Sequence, residues 1–337
     1  MATHREIHFV KVPDGMPDES CFEVVEAPMP MPGDGQVLVQ THFLSIDPYM
    51  RRQMGGLGDY AAPLKLGSVM IGRGVGAVLE SRHPDFKPGD AVQSEFGWRE
   101  HVVLEGRGLR KLPADLEPMS LGVGLIGQSG ATAVVGLVDI ANIKAGDTVV
   151  VSAAAGAVGS VVGQVAQLKG CRAIGIAGGP EKCRHVIADL GFDACVDYKA
   201  GPIRDALAKA APNGVDIYFD NVGGDILDAV LLQLNMNGRV AICGQISQYN
   251  VRCRQPIKNA GVILDKCVTL RGFRIGNHLV RRDQALDELM DWHRAGLLKY
   301  RETVADGFEA APGALINMLS GGNVGKQVVR LAAVGAG

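Results

Sequence analysis

The spacing of apolar and polar residues changes character partway along this chain. Up to about residue 120, apolar positions alternate with polar ones in short runs separated by turn residues. Residues 36–41 read Gln-Val-Leu-Val-Gln-Thr, and residues 74–80 repeat the alternation. A two-residue period is the mark of a half-buried strand. Lys87-Pro88-Gly89-Asp90 is a turn sequence leading into the next apolar pair. This part is expected to be all-β, a small barrel or compact sandwich. From about residue 145, strand-like runs alternate with helical stripes. Residues 148–153 form a continuous buried-strand pattern, and residues 160–169 follow with apolar positions 161, 162, 165 and 168 and a stop at Gly170. Further strands are predicted at 172–177, 194–197, 215–220, 239–243 and 269–273. Helices are predicted from Pro180 to Leu190 and over 202–210, 225–234 and 284–295. Strands joined by crossovers of helical length imply a doubly wound parallel sheet. A last helix (311–319) and strand (327–331) either cap that sheet or return to the first domain.

The first strand–helix turn carries Ser152-Ala-Ala-Ala-Gly156-Ala157-Val158-Gly159-Ser160. Gly156 lets the backbone approach a pyrophosphate, Gly159 lets the helix pack on its strand, and the helix N-terminus offers unpaired N–H groups to the anion. Ala154 stands where the usual pattern has its first glycine. An NAD site normally places a carboxylate at the end of the second strand to grip the ribose 2′-hydroxyl. Here the chain reads Ile176-Ala-Gly178-Gly179-Pro180-Glu181-Lys182, with Glu181 already past the strand tip. Glycine space plus the Lys182 cation suits a 2′-phosphate, so NADPH is expected over NADH.

Composition narrows the classes. Glycine makes up 45 of 337 residues, about 13% against a usual ~7%, without the collagen period. Net charge is −2 and no basic run appears, so neither nucleic acid nor an anionic membrane is an expected partner. Two stretches, 119–138 and 148–168, lack charged residues. Both are broken by glycine and polar residues, unlike a lipid-spanning helix. The N-terminus has no apolar signal core, and a cytoplasmic location is expected. Seven scattered cysteines suggest reduced thiols. Eight histidines form no cluster with cysteine or carboxylate, so no catalytic metal is expected. The reaction then needs the cofactor and a hydrogen-bond donor. Tyrosines 49, 60, 198, 218, 249 and 300 are the candidates, with Tyr49 (after Asp47-Pro48) and Tyr249 (beyond a strand end) foremost.

With Asp47-Pro-Tyr-Met-Arg51, Leu66-Gly-Ser-Val-Met-Ile-Gly-Arg-Gly74, the glycine turn, Asp220-Asn-Val-Gly-Gly224, Cys243-Gly-Gln-Ile-Ser-Gln-Tyr-Asn250 and Asn323-Val-Gly-Lys326, the chain resembles the zinc-independent medium-chain dehydrogenase/reductase superfamily. Within it, the resemblance is to the prostaglandin reductase and leukotriene hydroxydehydrogenase group, which includes curcumin-reductase-like enzymes. It covers nearly the whole chain. The resemblance implies a GroES-like catalytic domain over 1–125 and 301–337, a Rossmann domain over 126–300, and a homodimer. It also implies NADPH-dependent reduction of the C=C bond of α,β-unsaturated ketones and aldehydes. By the same token Gly156–Gly159 would hold the pyrophosphate, and Lys182 and Tyr198 the 2′-phosphate end. Asn221, the loop of Cys243, Gly244, Ile246, Ser247 and Tyr249, then Phe273, Arg274 and Ile275, and Asn323 match cofactor-lining positions. The chain departs from the prostaglandin reductases at Phe273-Arg-Ile-Gly-Asn-His278, where they carry aromatic residues. That departure favours small enones as substrates.

Hydride transfer to the β-carbon of an enone develops charge on its carbonyl oxygen, where a donor from Tyr49 or Tyr249, with cofactor hydroxyls, would act. Two alternatives remain at this stage: NADPH-dependent quinone reduction, and a non-catalytic NADPH-binding protein.

Overall fold

The computed structural model describes residues 2–55 and 62–331, so Tyr60 lies outside the described residues. The chain forms two units. One comprises the residues up to Gly124 together with those from Glu302 onward, and the other is Leu125–Arg301. The last helix, Ala311–Leu319, and the last strand, Lys326–Arg330, therefore belong to the first unit.

The first unit is built on two sheets. Thr3–Phe9 pairs antiparallel with Phe22–Pro28 and Ser68–Val69. A larger sheet is centred on Gln36–Ser45, whose neighbours are Arg73–Ser81, His101–Glu105 and Lys326–Arg330. Its apolar face includes positions from the alternating runs read in the sequence, Val37, Val39 and Val78, which pack with Val92, Phe96 and Val102. At the register shift in the Gln36–Ser45 strand the chains come very close. A Cβ at Gly76 would lie 1.9 Å from the Gln40 carbonyl oxygen.

The second unit holds a six-stranded sheet, parallel throughout. Its spatial order is Ala194–Asp197, Arg172–Ala177, Thr148–Ser152, Val215–Asp220, Leu234–Ile242, Thr269–Gly272. In chain order this is 3-2-1-4-5-6, the dinucleotide-binding order. Val149, Val150 and Val151 sit at the centre of the sheet, fully buried. Helices cover both faces of such a sheet, which is why its strands read as unbroken apolar runs. The helix Gly159–Leu168 lays Val161, Val162, Val165 and Ala166 inward.

Three boundaries differ from the sequence expectation. The helix expected to reach residue 234 ends at Leu231, and Leu234 opens the next strand across an irregular register. That strand begins Leu234-Asn-Met-Asn-Gly238, with Asn237 at a left-handed φ of 61°, so locally it reads as a turn. The helix expected from 284 begins at Leu279. Its first turn is charged, and Arg281 is anchored by Asp139 and Glu288 instead of by apolar burial. The uncharged stretch 119–138 becomes the short turn Met119–Val123 and a buried helical run starting at Gln128. A Cβ at Gly136 in that run would fall within 2.5–2.8 Å of the rings of Phe273 and Phe219. Among the described residues no helix is long and apolar enough to cross a membrane.

Candidate functional site

The strand order reverses between Thr148–Ser152 and Val215–Asp220. Ligands of open α/β sheets sit beyond the carboxyl ends of the strands at such a point. Both strand ends carry the expected sequences. After Ser152 the chain turns sharply, with Ala153 at φ 51°. Its carbonyl accepts from Gly156 N–H at 2.9 Å, and Ser160 N–H returns to Gly156 O at 3.0 Å. A Cβ at Gly159 would lie 2.3 Å from the Ala153 carbonyl oxygen, and one at Gly156 3.1 Å from it. The helix thus starts directly against the strand, and the first N–H groups of a helix lack partners within it. Gly156, Ala157, Val158 and Gly159 form the turn that would hold a pyrophosphate. The left-handed residue is Ala153, one position before the alanine that replaces the first glycine of the pattern.

The second strand end is pinned by Asp220. Its Oδ1 accepts from Val222 N–H (2.9 Å), Gly223 N–H (2.8 Å), the Tyr218 hydroxyl (2.8 Å) and the Ser152 hydroxyl (3.3 Å). Asn221 is tied back to the first strand: its N–H donates to Ser152 Oγ and its Nδ2 to Ser152 O, at 2.9 and 2.8 Å. Asp220 is fully buried. Burial raises its pKa, against the opposing pull of the two backbone N–H donors. Tyr218 is also fully buried and its hydroxyl is engaged with Asp220, so it offers no donor to a substrate.

The loop from Cys243 to Tyr249 is laced onto the same turn. Cys243 and Gly244 N–H donate to Asp220 O, Ile246 N–H to Asn221 O, and the Ser247 N–H and hydroxyl both to Val222 O. Tyr249, 9% exposed, accepts from Gln245 N–H through its hydroxyl oxygen at 3.2 Å. Burial, with the Asp220 charge, pushes the Cys243 thiol up to about 12. Asn221, Cys243, Gly244, Ile246, Ser247 and Tyr249 are therefore one connected structure at the switch point. Phe273 turns its ring towards Phe219, 6.2 Å away and edge-on; Ile275 is buried and Arg274 exposed.

The tip of the strand Arg172–Ala177 makes the third part. Gly179, at φ 98°, takes a conformation that favours glycine. Its N–H donates to Asp197 Oδ1 at 2.8 Å, which also accepts from Lys199 N–H at 2.9 Å. These two bonds hold the Asp197 carboxyl below its usual range. Asp197 is thus committed to the backbone. A Cβ at Gly178 would meet the Tyr198 ring at 2.8 Å, so the ring lies flush against the tip. Pro180 opens the following helix. Lys182 has its pKa lowered, first by burial and then by Lys199, with Glu181 opposing. Lys182 and Lys199 lie close enough to interact electrostatically, and Gly179 leaves open space, a combination that would suit a phosphate dianion. These donors fit a pyrophosphate on the glycine turn and a 2′-phosphate at the tip.

Tyr49 and Asn323 belong to the first unit. Tyr49 opens the short helix Tyr49–Gln53 directly after Pro48. Asn323 Nδ2 donates to Gly325 O at 2.8 Å within its own turn. Tyr300 faces His293 ring to ring. Ser152, Asp220 and Lys199 join the candidate set from the structure. Ser152 and Asp220 work through bonds spanning 68 residues, and Lys199 carries no pattern of its own. The seven cysteines form no disulfide. Among the described residues no three His, Cys, Asp or Glu side chains are grouped to hold a metal ion.

The sheet order, glycine turn and cationic strand tip define a dinucleotide-binding protein of the Rossmann class, carrying a second, β-rich unit. Comparison with known proteins narrows this. Residues 5–112 match a family described as the N-terminal domain of oxidoreductase, and residues 157–293 one described as zinc-binding dehydrogenase. The chain is 43% identical over 327 residues to the NADPH-dependent curcumin reductase of Escherichia coli (strain K12), covering 95% of this chain and 94% of that one. It is 44% identical over 324 residues to prostaglandin reductase 1 of Rattus norvegicus, covering 94% and 96%. The solved structure of CurA from Vibrio vulnificus in complex with NADPH superposes with a TM-score of 0.93 at 40% identity, covering 98% of this chain and 100% of that one. The chain belongs to the zinc-independent medium-chain dehydrogenase/reductase superfamily, in the group of the curcumin and prostaglandin reductases.

Proposed function

We propose that this protein reduces the C=C bond of α,β-unsaturated ketones and aldehydes with NADPH. The observation that carries the cofactor is the strand tip: Gly179 leaves space, Asp197 is committed to backbone N–H groups, and Lys182 and Lys199 supply positive charge. The Gly156–Gly159 turn holds the pyrophosphate, and Asn221 with the Cys243–Tyr249 loop lines the path beyond it. NADPH, when bound, supplies the hydride. As the substrate β-carbon gains that hydride, the C=C electron pair moves toward the carbonyl and negative charge forms on its oxygen. A tyrosine hydroxyl donating there, Tyr49 or Tyr249, stabilises the enolate where it forms. A proton from solvent then completes the α-carbon. Nothing stronger than a positioned donor is required of the protein.

The test is a substrate panel under NADPH: small enals, cyclic enones, diarylenones and quinones, each with wild type, Tyr49→Phe and Tyr249→Phe. Enone turnover should fall by about 10²–10³-fold in the variant that loses the donor, the range seen when an oxyanion-stabilising group is removed. NADPH affinity should stay unchanged. Full enone turnover in both variants ends the tyrosine reading, and consumption of quinones alone ends the enone reading.

A further inference from the structure

The strand Lys326–Arg330 begins with a lysine whose side chain is buried, 5% exposed. Its Nζ donates to Asp47 Oδ1 at 2.7 Å and to the Ile46 carbonyl at 2.8 Å. The other carboxylate oxygen of Asp47 accepts from the Ser45 hydroxyl. Across the parallel pairing, Lys326 lies opposite Glu302, whose Oε2 accepts from the Ser120 hydroxyl at 2.8 Å. Burial raises the pKa of that carboxyl, while the Ser120 bond and the Lys326 charge pull it down. The backbone repeats the link, since Ile46 N–H donates to Gln327 O at 3.1 Å.

This cluster sits under one short turn. Two residues after Asp47, Tyr49 opens its helix, and Met50 N–H donates to Asp47 O at 3.2 Å. Pro48, between them, has its φ fixed by its ring. Asp47 and Tyr49 are therefore joined by a stiff, hydrogen-bonded link, and whatever fixes Asp47 fixes Tyr49. A buried ion pair is a poor source of stability, because desolvation offsets its attraction and apolar residues of similar volume do as well or better. In some proteins such a pair serves instead to select one geometry.

We propose that Lys326 is a positioning residue for the reduction, holding Asp47 and the Ile46 carbonyl so that the Tyr49 hydroxyl is presented in a single place. This rests on the reading of Tyr49 as the donor to the substrate oxygen. Lys326 touches neither substrate nor cofactor in this scheme. It acts across 279 residues of chain, through Asp47.

The experiment is a double-variant cycle in the full chain, with kcat, enone KM, NADPH Kd and thermal midpoint measured for each member. The members are wild type, Tyr49→Phe, Lys326→Met, Asp47→Asn, and each of the last two combined with Tyr49→Phe. Misplacing a reacting group by a fraction of an ångström to an ångström costs about 10- to 100-fold in rate, so Lys326→Met should lower kcat by that order, with enone KM and NADPH Kd near wild type. In the Tyr49→Phe background the same substitution should cost almost nothing more. Asp47→Asn keeps the shape and an acceptor for Nζ, and should show a smaller loss of kcat with the same dependence on Tyr49. It serves if Lys326→Met does not fold. A loss of kcat that is equally large with and without the Tyr49 hydroxyl overturns the inference while leaving Tyr49 as donor. Unchanged kcat in Lys326→Met, or in Asp47→Asn where that is the variant that folds, overturns it too. Full activity in Tyr49→Phe removes the donor reading and this inference together.

Discussion

Two neighbouring strand ends of the parallel sheet differ in what they offer to negative charge. At the turn after Ser152, the proposed receptor is the backbone of Gly156–Gly159 at the start of a helix, and the fit depends on a missing side chain at Gly159. At the tip after Ala177, the proposed receptor is side chains: Lys182 and Lys199 gather charge, with Asp197 folded into the backbone. A backbone receptor reads any diphosphate, so it cannot distinguish one nicotinamide dinucleotide from the other. A side-chain receptor can, and substitution can retune it. On the proposed reading, affinity and selectivity reside at the ends of different strands.

The comparison breaks most severely at Gly159. Gly159→Ala puts a methyl 2.3 Å from the Ala153 carbonyl oxygen, a backbone atom that cannot swing away. Overpacking of this kind costs about 3 kcal/mol. Thermal unfolding should shift down, and titrations should show NADPH and NADH weakened by the same factor. Lys182→Glu should act on one ligand only. Losing a charge-assisted bond of about 1.5–3 kcal/mol weakens NADPH roughly 10–150-fold, with NADH unaffected in the same titration. Equal weakening of both would place the 2′-phosphate elsewhere.

A gentler probe is pH. Burial and Lys199 hold Lys182 below the ordinary lysine value. A 2′-phosphate favours the protonated amine, so its contribution is complete below the pKa of Lys182 in the free protein. That contribution is lost as pH rises through the pKa in the complex. The ratio of NADPH to NADH affinity should fall across the alkaline range, starting earlier than an exposed lysine would dictate; a ratio flat with pH would contradict this. Smallest is Ala153→Gly. Ala153 holds φ 51°, and glycine there should stabilise the fold by up to about 1 kcal/mol in denaturant unfolding, with little change in either affinity.

The alternation of strands and helices in the second unit could be read from sequence because burial on both sides writes each strand as an apolar run. Val149–Val151 is the clearest case. Legibility fails where polar contacts replace that burial. Asn235 to Gly238 reads as a turn and bulges out of the register within a strand, between the Leu234–Val215 and Arg239–Ile217 pairs, with Met236 and Asn237 exposed. The first turn of the helix Leu279–Arg294 is hidden for the same reason, held by Arg281 to Asp139 across 142 residues. At the candidate site the glycine turn and Lys182 are local patterns and stand out. Ser152 and Lys326 act through partners 68 and 279 residues away, and no window of sequence brings those partners together; Asp220 also holds its own turn through Val222 and Gly223.

The Tyr198 ring against Gly178 has a bearing on how cofactor choice could change by descent. Acquiring an NADH-type carboxylate at the strand tip by giving residue 178 a side chain brings its first carbon within 2.8 Å of the Tyr198 ring. The ring would then have to swing aside, which the far end of an exposed side chain can do. A change at residue 178 therefore also moves the wall that Tyr198 is proposed to give the 2′-phosphate. The two positions are coupled in descent, since a substitution at one changes what the other can contribute.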